Sequence, residues 1–338
     1  MTLMPTVETR MPYGMPPDDG PVAQLLIGRT PVMHELRAFV RRVGQTSLPV
    51  LIEGPTGSGK ELVARAIHAV SGRTGRFVPL NIAAIGESLF EDALFGHVKG
   101  AFTGATGRKA GQLMEAHRGT CFFDEIGALP LALQPKLLRA IDAGSFRCVG
   151  ADIDSASDFR LVAATNESVK RLVRLGRFRE DLAFRLGAVV IAVPPLRDRI
   201  EDIPLLAQHF ATQNVGADGV AVRWSGGALR ALQDNDWPGN VRELKHAVDR
   251  VMAFADGPIV SAADVRRHSG TLGASSAARA WDERRRAELR EVLCSVNWDT
   301  GKAAAILGID RTTVYRRMRR LGIAIPQWRV DPDQALDR

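Results

Sequence analysis

"LIEGPTGSGKE", Leu51 to Glu61, passes from an apolar strand into Gly54-Pro55-Thr56-Gly57-Ser58-Gly59-Lys60 and on into "GKELVARAIHAVS", which has helical spacing. Strand, glycine-rich turn, lysine and helix in this order make a P-loop. The glycines let backbone N–H groups turn inward toward anionic phosphates, and the helix dipole and Lys60 add positive field. A plain glycine-rich turn would require none of the strand, the spacing and the lysine together. The nucleotide-binding candidates are therefore Gly54, Pro55, Thr56, Gly57, Ser58, Gly59, Lys60 and Glu61. Glu61 stands where a Ser or Thr usually serves Mg²⁺, so another group or water must complete the metal shell.

Working outward, strands alternate with helices. "SLPVLIEG", "RFVPLN", "GTCFFDE", "DFRLVAATN" and "AVVIAVPPL" are strands, and "LALQPKLLRAIDAG" is a helix. This alternation predicts a parallel sheet covered on both faces. After Pro195 the strands are expected to stop. "EDIPLLAQHFAT", "SGGALRALQD" and "NVRELKHAVDRVMAFA" are helical and predict a smaller helical subdomain. Residues 1–24 are expected to be a disordered tail rich in Met, Pro and Gly. "HSGTLGASSAAR", His268 to Arg279, reads as a linker, and "IPQWRVDPDQALDR" as a loose tail.

Composition narrows the class. The chain has 338 residues, 45% of them hydrophobic, enough for two or three domains. No apolar run reaches the roughly 18 residues of a membrane span, and no secretory signal is visible. Cys121, Cys148 and Cys294 lie far apart, with neither metal spacing nor an even disulfide set. That suits a reducing cytoplasm, and buried thiols are the simpler reading for the two in apolar runs. The net charge of +7 is unevenly spread: residues 281–325 hold ten Lys/Arg against six Asp/Glu, hence +4, whereas the 280 preceding residues hold 33 against 29, also +4. Positive charge concentrates near the C-terminus.

The strand "TCFFDE" ends in Asp124-Glu125. A carboxylate at the strand's carboxyl end can hold a metal directly or through water, and its neighbour can polarise a water for attack on a γ-phosphate. Without the upstream P-loop the pair would be an acidic cap on a turn. Thr165-Asn166 end a further strand and can place polar groups beside that water. In "GRFREDLAFRL", Arg179 and Arg185 are too far out of phase to stack on a helix. They fit surface salt bridges to Glu180 and Asp181, which contribute little, or arginine fingers, which raise rates about 10³–10⁵-fold. In "WPGNVREL", Asn240 is expected to cap a helix whose first turn carries Arg242. A cation there opposes the helix dipole and suggests a partner, such as the nucleotide.

"GHVKGAFTGATG", Gly96 to Gly107, is aperiodic and sets one large apolar residue, Phe102, among glycines. It reads as a mobile loop with an aromatic tip. Gly100-Ala101-Phe102-Thr103-Gly104-Ala105 spells GAFTGA. With the P-loop and the acidic strand end, the chain resembles the AAA+ activators of sigma-54 RNA polymerase, over about Leu25 to Leu321. The resemblance implies that these six residues contact sigma-54, with Phe102 and Thr103 at the tip. Burial of one phenylalanine in a partner recovers roughly 1.5–3 kcal/mol. It further implies that Lys60 is the P-loop lysine, that Asp124 and Glu125 are the Walker B acids, and that Asn81 restrains the catalytic glutamate. Thr165 and Asn166 match sensor I, Arg242 matches sensor II, and Arg179 and Arg185 match fingers offered to a neighbour's ATP. Pro55, Ile82, Val98 and Gly187 depart from the commonest family text, and none removes a catalytic group. The implied cofactors are ATP and Mg²⁺, and the implied assembly runs from a dimer to a hexameric ring.

"TGKAAAILGIDRTTVYRRMRRLGI" reads as helix, turn at Gly308, cap at Asp310 and second helix. Arg311, Thr312, Thr313 and Tyr315 are candidates for base edges, and Arg316 and Arg317 for phosphates. The family's Fis-like terminal domain favours double-stranded DNA as partner, with "WDERRRAELREVLCSV" pairing two units.

The expected architecture is an α/β AAA+ P-loop parallel sheet at 25–200 with a helical lid at 201–267. A linker at 268–280, an all-α helix-turn-helix domain at 281–325 and a tail at 326–338 follow. The expected function is ATP-driven remodelling of sigma-54 holoenzyme from closed to open complex. Too few residues precede the ATPase for a receiver domain, so a regulator acting in trans is expected. Two rivals stand: an AAA+ remodeller of another substrate, and a DNA-binding regulator that uses the AAA+ fold only to oligomerise. The Phe102 loop argues against the first, and intact Lys60, Asp124, Glu125, Arg179 and Arg185 against the second.

Overall fold

The computed structural model of the protein describes residues 20–213, 223–255, 257, 259–269, 286–287, 289–307, 311, 314–315, 318 and 323. They fall into two compact units that divide between Ser269 and Gly270.

The first unit is built on a five-stranded parallel sheet in the order Phe77–Asn81, Thr120–Asp124, Arg160–Thr165, Val50–Glu53, Val189–Ala192. The central strand, Arg160–Thr165, is buried at every position, as expected where helices cover both faces. Successive side chains alternate between two cores. Cys121 and Phe123 join Phe90, Leu137 and Leu182 on one face. Phe122 joins Val40, Val63 and Ile67 on the other. Each such fully buried aromatic or branched aliphatic side chain stabilises the fold by about 1.5–3 kcal/mol. The register sets Asn81 opposite Asp124 and Glu53 opposite Thr165, so the polar strand ends gather along one edge of the sheet.

Arg160 is a buried charge with a structural task. It donates from Nη1 to Gly44 O (2.8 Å), from Nη2 to Val43 O (2.8 Å) and from Nε to Leu48 O (3.3 Å). These carbonyls close the helix Pro31–Gly44 and the turn after it, where a helix leaves carbonyls without partners. Burial, with Arg73 nearby, lowers its pKa to about 10. Asp202, fully buried, accepts from Arg29 N, Thr30 N and Thr30 Oγ1 and ties the segment before that helix to the start of the lid.

The expected N-terminal tail is shorter than 24 residues, because Pro21–Leu25 is a short helix with Val22 buried against the core. A proline at the first helical position and one buried valine are too little periodicity to be read in advance. Of the tail, residues 1–19 lie outside the described residues.

The lid comprises the helices Ile203–Gln213, Gly226–Gln233, Asn240–Phe254 and Ala262–His268. They pack around Leu206, Leu232, Trp237, Leu244 and Val248, and Leu196 already belongs to this core. Strands do not stop after Pro195: Arg223–Trp224 pairs in parallel with Ile259–Val260. Two residues per strand are too few to leave an alternating pattern. His268, expected to open the linker, ends the last lid helix, which Ser261 and Asp264 start with a capping box. Residues 270–280 of that linker lie outside the described residues.

In the second unit, residues 289–295 are helical and Thr300–Leu307 forms a helix. Leu289, Leu293, Ala303, Val314, Met318 and Ile323 make its core. Asp299 Oδ1 accepts from Gly301 N and Lys302 N, an N-terminal cap that sequence reading missed. Of the cysteines, Cys121 and Cys148 are buried and Cys294 is exposed. Burial pushes the Cys121 thiol pKa far up.

Candidate active site

The cleft beside the polar strand ends has a volume of about 1150 Å³. It is lined by the P-loop from Thr56 to Glu61 and by Asn81, Asp124, Glu125, Asn166 and Arg242. Gly54 and Pro55 form the approach from the strand, with Gly54 N donating to Thr165 O at 3.2 Å. The helix Lys60–Ala69 starts directly after Gly59, which aims its N-terminal dipole at the cleft. Lys60, only 6% exposed, donates to Gly54 O at 3.1 Å, and its Nζ lies 3.6 Å from Glu125 Oε1. Ser58 Oγ is buried without a hydrogen-bond partner among the described residues. Buried hydroxyls normally have one, so this atom suits a ligand with acceptor oxygens.

Glu125 has φ +56°, in the left-handed region that side chains larger than glycine rarely adopt. Strain of this kind costs on the order of 1–3 kcal/mol and gathers at functional sites. Glu125 Oε2 accepts from Asn166 N at 3.3 Å, and Glu125 N donates to Asp124 Oδ1 at 3.1 Å. Burial and the adjacent Glu125 charge raise the Asp124 pKa, against the opposing pull of Lys60 and its backbone hydrogen bond. Two carboxylates short of positive charge form a donor set that fits a divalent cation. Among the described residues no three His, Cys, Asp or Glu side chains gather as a metal site, so other ligands must come from water or phosphate. Glu61 Oε1 meanwhile accepts from Arg65 along the helix at 2.8 Å.

Asn166 Nδ2 donates to Thr56 Oγ1 at 3.3 Å and so bridges two walls of the cleft. Thr165 also lines the cleft, and its hydroxyl is held by its own chain. That hydroxyl donates to Glu167 O at 2.9 Å and accepts from Glu167 N at 3.1 Å. Asn81 borders the cleft, and no hydrogen bond joins it to Glu125 among the described residues.

Asn240 does not cap its helix. It is the first helical residue, at φ +55°, and Gly239 precedes it at the N-cap. Asn240 Nδ2 donates to Thr56 O at 2.9 Å, and Oδ1 accepts from Leu196 N at 2.9 Å. Arg242 N donates to Gly57 O at 3.3 Å. A Cβ on Gly57 would lie 2.2 Å from Gly239 O, so only glycine permits this contact between lid and P-loop. Arg199, buried, donates to Ser58 O at 3.0 Å. Sequence reading missed the bridging role of Asn240 and missed Arg199 entirely. The tolerance of Asn for left-handed backbone was the only available signal for the first, and none pointed to the second.

Arg179 and Arg185 are not brought to this cleft. Arg179 Nη2 pairs with Asp181 at 2.8 Å, and Arg185 Nε with Asp142 at 2.8 Å, all half-exposed. In the Gly100–Ala105 loop, Gly100 N donates to Ala105 O and Ala105 N to Phe102 O, so the loop is a closed turn. Gly96–His97, read as loop, is a short strand pairing antiparallel with Lys109–Ala110. Phe102 is 46% exposed and Thr103 is exposed.

In the second unit, Arg311 Nε donates to Thr300 Oγ1 at 3.1 Å and Nη2 to Tyr315 Oη at 3.4 Å. Thr312, Thr313, Arg316 and Arg317, with the turn residues Gly308 and Asp310, lie outside the described residues. No helix among the described residues is long and apolar enough to cross a membrane.

Comparison with known proteins agrees with this arrangement. Residues 26–192 match the sigma-54 interaction domain, 197–281 the AAA+ ATPase lid domain, and 286–321 the bacterial regulatory protein, Fis family. The chain is 38% identical to the DNA-binding transcriptional regulator NtrC of Rhizobium meliloti over 91% of its length and 72% of that protein. It is 36% identical to the Nif-specific regulatory protein of Klebsiella pneumoniae over 97% of its length and 66% of that protein. The crystal structure of NtrX from Brucella abortus in complex with ATP superposes with a TM-score of 0.66 at 34% identity, covering 88% of this chain and 69% of NtrX.

Proposed function

The chain belongs to the family of sigma-54-dependent transcriptional activators, AAA+ proteins with a Fis-type DNA-binding domain, and on that premise we propose that it hydrolyses ATP to convert sigma-54 RNA polymerase from closed to open promoter complex. The observation that carries this reading is the convergence of Lys60, Asp124, Glu125 and Arg242 on one cleft, in a chain whose Gly100–Ala105 turn holds Phe102 half-exposed.

Lys60 and the P-loop N–H groups bind the β- and γ-phosphates. Asp124 holds Mg²⁺, directly or through water. When bound, the metal neutralises charge that develops on the phosphoryl oxygens. Glu125 polarises the attacking water. Its pairing with Lys60 supports a resting state in which the incoming phosphates first displace the lysine. Asn81 and Asn166 position Glu125 and the water, and Arg242 reports phosphate occupancy to the lid through its backbone bond to Gly57. Arg179 and Arg185, absent from their own chain's cleft, act on the ATP of a neighbour, so the active assembly is a ring.

Energetics support the need for hydrolysis. Opening about ten base-pair steps costs roughly 14 kcal/mol at about 1.4 each, more than one phenylalanine contact supplies. The Fis-type unit binds upstream double-stranded DNA through Arg311, Thr312, Thr313 and Tyr315 at base edges and Arg316 and Arg317 at phosphates. It thereby raises the local concentration of the ring at the promoter. The work is cytoplasmic.

A pair of substitutions tests the proposal. Lys60→Ala abolishes ATP hydrolysis. Thr103→Ala keeps most hydrolysis and loses transcription from a sigma-54 promoter in a purified system. Activation by Thr103→Ala at the parent level would remove the loop assignment.

A further inference from the structure

The turn that carries Phe102 rests on three polar side chains away from the nucleotide cleft. Asp92 lies on the helix Glu87–Phe95, His97 in the strand that leaves that helix, and Lys109 in the strand that pairs back with it. Asp92 Oδ1 is 2.5 Å from His97 Nδ1, and Oδ2 accepts from Lys109 Nζ at 2.9 Å. One carboxylate thus ties both strands of the hairpin to the helix. Burial works against its charge, but the hydrogen bonds from His97 and Lys109 outweigh that and hold its pKa below the usual value. An ionised carboxylate only accepts, so His97 Nδ1 carries the hydrogen and the ring plane is set.

The imidazole so fixed meets Phe102. The ring centroids are 4.9 Å apart with planes at 69°, an edge-to-face contact. His97 is nearly buried, whereas Phe102 remains half-exposed. Backbone bonds fix the base as well: Val149 N donates to Gly96 O and Val98 N to Val149 O. The imidazole therefore stands on an immobilised base beneath a turn whose backbone hydrogen bonds close on itself and whose Ala101 lies against Gly150.

We propose that His97, oriented by Asp92 and Lys109, is a positioning residue that seats the Phe102 ring in a half-covered position, from which the loop must be released before the ring reaches a partner. The seat rests on the reading that Phe102 is the sigma-54 contact. It adds that this arrangement withholds that contact through a side-chain triad, Asp92, His97 and Lys109, that lies outside the lining of the nucleotide cleft. Lifting the turn breaks one ring contact and leaves the triad intact, so the ring can return after each cycle.

The test uses the full chain with 4-fluorophenylalanine at position 102 and its ¹⁹F NMR signal. In the parent, the signal is displaced from the solvent-exposed value by the His97 ring. In His97→Ala it moves to the exposed value and sharpens. Asp92→Ala, which keeps the imidazole and removes the acceptor that fixes its plane, shifts it part of the way. His97→Phe, which restores a ring without the tie to Asp92, returns it toward the parent value. ATP hydrolysis stays within about twofold in all three, which also verifies folding. Affinity of nucleotide-free His97→Ala for sigma-54 rises by roughly 2- to 10-fold, the range a released aromatic pair allows. An unchanged signal in His97→Ala overturns the seat, whatever transcription does. A signal that moves as expected while Thr103→Ala still activates leaves the seat standing and removes the sigma-54 reading of the loop.

Discussion

Asp124 shows how a functional residue sets stability against activity. Burial and the neighbouring Glu125 raise its pKa, so the folded state takes up a proton more readily than the unfolded chain. Stability then falls as pH rises from the unfolded carboxylate value, near 3.9, through the raised folded one. Above that the penalty is fully present. At neutral pH, Asp124→Asn is expected to raise the melting temperature while cutting ATP hydrolysis at least about 100-fold, because the metal contact proposed for Asp124, worth several kcal/mol, is lost. Thermal melts at pH 5 and pH 8 check the sign: the gain is larger at pH 8. At this scale much of the site was readable. Lys60, Asp124 and Glu125 follow from residue type and from position at strand ends. The bonds that hold the Thr165 hydroxyl to Glu167 were not readable, because a hydroxyl at a strand end can turn back to its own chain.

Among the elements, the five strands of the main sheet were legible because strands buried on both faces are short apolar runs bounded by turn residues. The pairing of Arg223–Trp224 with Ile259–Val260 was not, since it has no pattern to read. The contacts that join elements were also hidden. Asn240 reaches Thr56 across 184 positions, and Arg160 reaches Gly44 across 116. Neither partner is a complementary side chain; both are backbone carbonyls, which every residue carries. Arg160→Met is expected to lower the unfolding free energy by about 2–4 kcal/mol. Three carbonyls lose partners at roughly 1–3 kcal/mol each, offset by relief of a buried charge. Chemical denaturation measures it, and a loss well under ~1 kcal/mol would show that the carbonyls find water.

At the scale of the whole molecule, the sheet's polar edge, the lid joint at Gly57 and the turn under Phe102 are parts of one chain, but Arg179 and Arg185, proposed as fingers, do not line that chain's own cleft. Arg179 and Arg185 sit in surface ion pairs, which by themselves hold little energy and are readily exchanged for phosphate. If each finger serves a neighbour, Lys60→Ala and Arg185→Ala are each inactive alone. An equal mixture then regains hydrolysis up to roughly a quarter of the parent rate, the share of seams in a closed ring that combine an intact lysine with an intact arginine. Steady-state ATPase of the mixture measures this, and no recovery would place the fingers in their own chain's service.

The central claim is that cleavage of ATP, rather than its binding, drives the polymerase. It is tested by scoring promoter melting by sigma-54 holoenzyme with the purified chain and either ATP or an analogue that binds and cannot be cleaved. The account predicts melted promoter that accumulates with ATP alone. Equal melting with the uncleavable analogue would contradict it.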